Sequence, residues 1–250
     1  KSNIFNKSYL VKNCITSFCD SNAIIIKIFV VSLCMKKLIL ILGLIPVIGF
    51  SQESNVGNWF MYLGNKKLNS NWNIHNEVQY RNYNVVGDME QLLLRTGIGF
   101  NLSPNNNNIL LGYGFIRSEN YVSTDQKVGN NEHRIFQQFI TRQSFNRVSL
   151  QHRYRFEQRF LENDFKLRFR YFISVNVALS KPKIEKNTFY LSAYNEVFIQ
   201  SKENLYDRNR VYAGLGYAIN KDFRIELGYM NQLFNKGSRD QINIIGIINF

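Results

Sequence analysis

Charged side chains recur at every second residue through much of this sequence. Twelve basic residues fall on such alternating positions: Arg81, Arg95, Arg134, Arg153, Arg155, Arg159, Lys166, Arg168, Arg170, Arg208, Arg210 and Arg224. Five carboxylates share their faces: Glu77, Glu132, Glu157, Glu196 and Glu226. A wall lined with Arg favours phosphate or carboxylate solutes, because each guanidinium offers a fork of donors to paired oxygens. The same residues also suit a structural role. Enclosed charges need partners, since an unpaired buried charge is expensive. The pattern therefore supports either a packed, ion-paired interior or a narrow, anion-leaning pore.

Enzymatic chemistry would need a nucleophile or a base. The three histidines are His75, His133 and His152. His75 shares a face with Glu77 and reads as an interior hydrogen-bonder. His133 and His152 fall on apolar faces, near opposite ends of adjoining strands, where a lipid hydrolase could place its base. Ser149 is off the His152 face, Glu132 points away from His133, and no G-x-S-x-G elbow occurs. No metal-ligand spacing is present. The only Cys are 14, 19 and 34, with no C-x-x-C pair and no basis for a disulfide framework. No catalytic, metal or cofactor residue is expected.

These side chains must be held by regular elements. The 250 residues are 45% hydrophobic and 20% charged, which excludes a disordered or low-complexity chain. The net charge of +13 would ordinarily suggest nucleic acid or an anionic membrane surface. Part of that charge lies in a processing region. Met35-Lys36-Lys37 precedes a thirteen-residue apolar run, and Gly49 and Ser51 stand at −3 and −1. This is the pattern of a signal peptide over 35–51, cleaved between Ser51 and Gln52. The run is shorter than the roughly 20 residues a helical span needs. Joining it to 23–34 would bury Lys36 and Lys37 at about 2.5 kcal/mol or more each. The chain opens on Lys1, so 1–34 is read as upstream sequence that is not native, with Met35 as the start. Residues 1–51 hold six Lys and one Asp, leaving +8 on a barrel chain of 52–250.

From Trp59 onward the sequence alternates with period two, the mark of strands with two unlike faces. Residues 148–160 set Val148, Leu150, His152, Tyr154, Phe156, Gln158 and Phe160 against Ser149, Gln151, Arg153, Arg155, Glu157 and Arg159. Further strands are expected near 72–83, 90–101, 108–117, 131–142, 165–177, 188–199, 208–219, 223–233 and 241–250, with a shorter segment at 58–63. Pro104 and Pro182 fall in gaps, where a missing N–H harms no ladder. No Asp, Glu, Lys or Arg sits on the apolar faces of the ten long strands.

Alternation does not say which face points inward. A soluble, lipocalin-like carrier would enclose the apolar face, whereas a membrane barrel turns it to lipid. Export, strand lengths matching a tilted span, and aromatics at strand ends (Trp72, Phe100, Phe160, Phe165, Phe189, Tyr217, Phe223) favour lipid. The final strand places Ile244, Ile248 and Phe250 on one face, like the C-terminal assembly signal of bacterial outer-membrane proteins. Even strand counts are usual, so ten strands are expected, with twelve as the alternative. The turns near 84–89, 119–130, 161–164, 200–207 and 234–240 are then extracellular. Residues 58–63 are left as an accessory piece.

Several short motifs resemble a known family. They are Asn76-Glu77-Val78-Gln79-Tyr80-Arg81, Leu94-Arg95-x-Gly97, Glu132-His133-Arg134 with Gln137-Gln138, Tyr194-Asn195-Glu196, and Asn209-Arg210 with Gly214-x-Gly216-Tyr217. Their order, with Phe50-Ser51-Gln52 at the cleavage site, is similar to Bacteroidota outer-membrane proteins grouped as domain of unknown function twenty-four-ninety. The resemblance covers 57–250. It implies an outer-membrane β-barrel and no known activity or catalytic residue.

The sequence thus predicts an all-β, up-and-down antiparallel transmembrane β-barrel in the outer membrane of a Gram-negative bacterium. Its function is expected to be structural or that of a narrow anion-leaning channel. The alternatives are an outer-membrane lipid hydrolase and a soluble periplasmic carrier. Expected partners are outer-membrane lipid, the barrel-assembly machinery through the last strand, and small anionic solutes. Nucleic acid is excluded by enclosure and export, and no cofactor is expected.

Overall fold

A computed structural model of the chain describes residues 56–104, 106–202 and 204–250. The upstream segment expected at 1–34 and the signal peptide expected at 35–51 lie outside the described residues. Eleven strands follow one another: β1 Gly57–Lys67, β2 Trp72–Asn82, β3 Met89–Asn101, β4 Asn107–Tyr121, β5 Lys127–Phe145, β6 Val148–Leu161, β7 Asp164–Ala178, β8 Thr188–Gln200, β9 Tyr206–Ala218, β10 Phe223–Phe234 and β11 Ser238–Asn249. Each pairs antiparallel with its sequence neighbours, and β1 closes the sheet against β11. No helix occurs among the described residues.

The closure corrects two expectations. The barrel has eleven strands, neither ten nor twelve, and it is not wholly antiparallel. Residues 58–63 belong to β1, an 11-residue stave. It pairs parallel with β11 from Gly57↔Gln241 to Asn65↔Asn249, and antiparallel with β2. An even count returns both ends of a barrel to one side, but hydrogen bonding demands only that no edge stay open. A parallel ladder meets that demand equally.

The sheet has two rims. The upper rim carries the turns after Asn82, Tyr121, Leu161, Gln200 and Phe234, and the lower rim those after Lys67, Asn101, Phe145, Ala178 and Ala218. β5 runs for 19 residues and β4 for 15, so the broad loop expected at 119–130 contracts to a short turn after Tyr121. The β5–β6 link is only Asn146-Arg147, and Asn146 takes φ 49°, a left-handed conformation that Asn tolerates in tight turns.

Registers fix the tilt. Followed from Met61 through β2, β3, β4 and β5, they reach Leu161 on β6. Followed the other way round, they reach Arg147, beside Val148. The offset of 14 residues (161 less 147) with ordinary strand spacings gives a tilt of roughly 40°.

The faces are now assigned. Leu227 is 58% exposed and Leu111 54%, whereas Glu157 is 0% and Arg155 1% exposed. The apolar positions point out and the charged ones point in. A carrier enclosing an apolar ligand requires the reverse. Arg117 continues the outer face of β4 at the upper rim, where it pairs with Glu119 at 2.8 Å. Outward aromatic pairs gather towards the rims: Trp72 with Phe100 at 5.0 Å, Phe189 with Tyr217 at 4.6 Å, and Phe160 with Phe165 at 5.1 Å.

Candidate functional site: a cationic vestibule

The interior is layered, because inward residues alternate along every strand and each strand contributes one per layer. Across the middle runs an ion-pair network. Glu157 binds Arg168 at 2.6 Å and Arg170 at 2.7 Å. Arg170 then bridges to Glu196 at 2.6 Å, which also holds Arg153 at 2.7 Å and faces Arg210 at 3.6 Å. Arg155 stands 3.7 Å from Glu157 and donates twice to Gln138 Oε1. On the facing wall, Arg95 binds Glu77 at 2.7 Å. Glu132 is gripped by both Arg134 and Arg159, each at 2.6 Å. Lys166 and Arg208 lie nearer the upper rim, towards Asp164 and Asp207.

Beside and below this network the lumen fills with rings. Tyr190 and Phe136 are 0% exposed and Tyr212 1%. Tyr194 stacks on Tyr212 at 4.7 Å and meets Phe172 at 5.1 Å. Met230 and Ile245 complete the packing with Trp59. Such rings fit because glycines sit opposite them. A Cβ at Gly216 would strike the Tyr190 ring, and one at Gly112 the Phe136 ring.

Above the network opens a cavity of about 490 Å³. Its floor includes Trp59, Arg81, Arg95, Arg170 and Arg210, and its mouth reaches Glu162, Asn163 and Asp164 in the upper turns. Cations dominate the lining. Trp59, Phe198 and Phe234 line it, whereas Tyr190, Tyr212 and Phe136 do not. At the rim, desolvation pulls the Asp88 carboxyl upward. Hydrogen bonds from Lys127 and Tyr121 outweigh that and hold it below the ordinary carboxylate range.

Eleven of the twelve expected basic residues join the network or the cavity wall. Arg224 does not, lying inward near the lower rim, where its neighbour Glu226 accepts from the Tyr190 hydroxyl at 2.9 Å. Ile244, Ile248 and Phe250 lie on the outer face of β11 and just beyond it. His75 is inside, 3.0 Å from Asn65 Oδ1 and 3.5 Å from Glu77. His133 and His152 are outside, each joined to a tyrosine hydroxyl, Tyr113 at 2.6 Å and Tyr171 at 2.9 Å.

Three contributors escaped the sequence reading. Trp59, Met61 and Leu63 make the inner face of β1 apolar as well as the outer, so no alternation announces it. Asp207 reaches Arg168 at 3.2 Å from a break in the β8–β9 register. Arg239 pairs with Glu90 at 2.6 Å across a sequence gap of 149 residues, invisible to local patterning.

A closed sheet that is charged within and apolar without defines an inside-out β-barrel. The chain belongs to a family described as protein of unknown function (DUF2490), whose model matches residues 56–243. That match begins just before β1 and ends in β11, so the parallel stave lies within the family's shared region. Comparisons with curated proteins and with solved structures find no match.

Proposed function

We propose that this is an outer-membrane β-barrel protein whose lumen is shut by its own side chains, leaving a cationic vestibule for small anions at the upper rim. The observation that carries the reading is polarity. A contiguous apolar outer surface of this extent is tolerated in lipid and not in water. Inside, an open pore would hydrate its lining, whereas Arg155, Glu157, Tyr190 and Tyr212 are all buried. The signal peptide read at 35–51 supports export, and strand lengths of 11–19 residues meet or exceed what a tilted span needs. The β4–β5 hairpin overruns its neighbours at the upper rim, and we read that rim as the outward-facing one. Assembly through Ile244, Ile248 and Phe250 fits their place on the lipid face. The hydrolase alternative gains nothing from His133 and His152, which bond to tyrosine rather than serine. Fractionation with gel migration tests the proposal. The protein should appear in outer-membrane fractions and run faster unboiled than boiled. Recovery wholly in the soluble periplasm would overturn it.

A further inference from the structure

We propose that the vestibule floor at Trp59, Arg81, Arg95 and Arg210 binds a phosphate group. This rests on the vestibule reading and names the chemistry of its deepest part. The four residues come from β1, β2, β3 and β9, so the parallel seam brings them together. The Arg81 guanidinium lies 3.7 Å from the Trp59 ring centre and that of Arg210 4.8 Å. Two cations on one indole repel each other, and local carboxylates do not cancel them. Among the described residues Arg81 has none within 4.0 Å; it donates to the amide oxygens of Gln79 and Gln91. Arg210 bonds Gln232 at 2.9 Å, and its only carboxylate within 4.0 Å among the described residues, Glu196 at 3.6 Å, already serves Arg153 and Arg170. Arg81 is nevertheless only 8% exposed.

Unmet donors point the same way. Among the described residues, Trp59, 2% exposed, has no acceptor for Nε1–H, and Arg95 none for Nε–H. Among the described residues the cavity's single orphaned acceptor is Glu90 Oε2, whose other oxygen holds Arg239. The missing partner is therefore an acceptor-only anion. Its donors converge from several strands. A carboxylate offers two oxygens in one plane, whereas a tetrahedral phosphate offers oxygens to each wall. With a second pKa of about 6, a phosphate monoester also carries close to two charges at neutral pH, matching two uncancelled guanidiniums.

The two tryptophans supply the test, because Trp59 is in the cavity and Trp72 on the outer surface. In a Trp72→Phe background, refolded in detergent micelles, Trp59 emission is titrated with inorganic phosphate, a sugar phosphate, acetate, and micelles containing phosphatidic acid. Phosphate should saturate the signal, with acetate at least about tenfold weaker. Arg81→Gln should weaken phosphate at least about tenfold. Arg224→Gln, at the lower rim, should leave it unchanged. Unboiled gel migration shows that each variant is folded. If Arg81→Gln does not fold, Arg81→Lys keeps the charge, loses the fork, and should weaken phosphate about threefold or more. Saturation by soluble phosphates assigns a solute, and saturation by phosphatidic acid alone assigns a lipid headgroup; either keeps the phosphate assignment. Equal response to acetate and phosphate, or unchanged affinity in both folded Arg81 variants, overturns the site while the vestibule stands. Silence towards every anion removes the vestibule as well.

Discussion

Glu157 carries two guanidiniums and has no exposed surface, which makes it the residue most committed to closing the lumen. A buried pair is weak grounds for net stability, but breaking one leaves an uncompensated charge. Glu157→Gln should therefore lower stability by about 3 kcal/mol or more, read as a fall in the urea midpoint of the folded, faster-migrating gel band. At this scale the sequence was informative. Parity alone put Arg153, Arg155 and Glu157 on one face, and the same face holds their partners. What parity cannot supply is position along the axis. Arg224 shared the pattern yet sits below the ring layer, away from the network. Trp59 went unflagged for the opposite reason, since β1 is apolar on both faces and leaves no alternation to read.

Among the elements, β1 changes the picture most. It joins the two ends of the sheet and delivers Trp59 to the vestibule floor. Its parallel register predicts that Phe60 and Ile244, partners on the outer face, can be bridged. A Phe60→Cys, Ile244→Cys double variant of the chain from Gln52 should form a disulfide when folded in micelles. Cα separations across a strand pair fall within disulfide range. Non-reducing gels would show the cross-linked band, and a control pairing Phe60→Cys with Ile247→Cys, on the inner face, should not cross-link. The ten long strands were legible because each has one apolar outward side and one lumen-facing side. The eleventh, and the closure it makes, follow from edge satisfaction, which no local pattern encodes.

For the whole molecule, the initial net charge of +13 resolves into parts with different meanings. The cations after residue 52 lie mostly inside, where carboxylates neutralise many of them and the vestibule keeps the surplus. The outer face stays free of charge through the apolar band. We read the result as a barrel sealed beneath a basin, with the seal made by the ion-pair network and the rings of Tyr190, Tyr212 and Phe136. Conductance across a planar lipid bilayer tests that seal most directly. The wild-type barrel should insert without steady conductance steps, and a Tyr190→Ala, Tyr212→Ala, Phe136→Ala variant should conduct with a preference for anions. Steady conductance through the wild-type barrel, at a level the triple variant does not change, would contradict it.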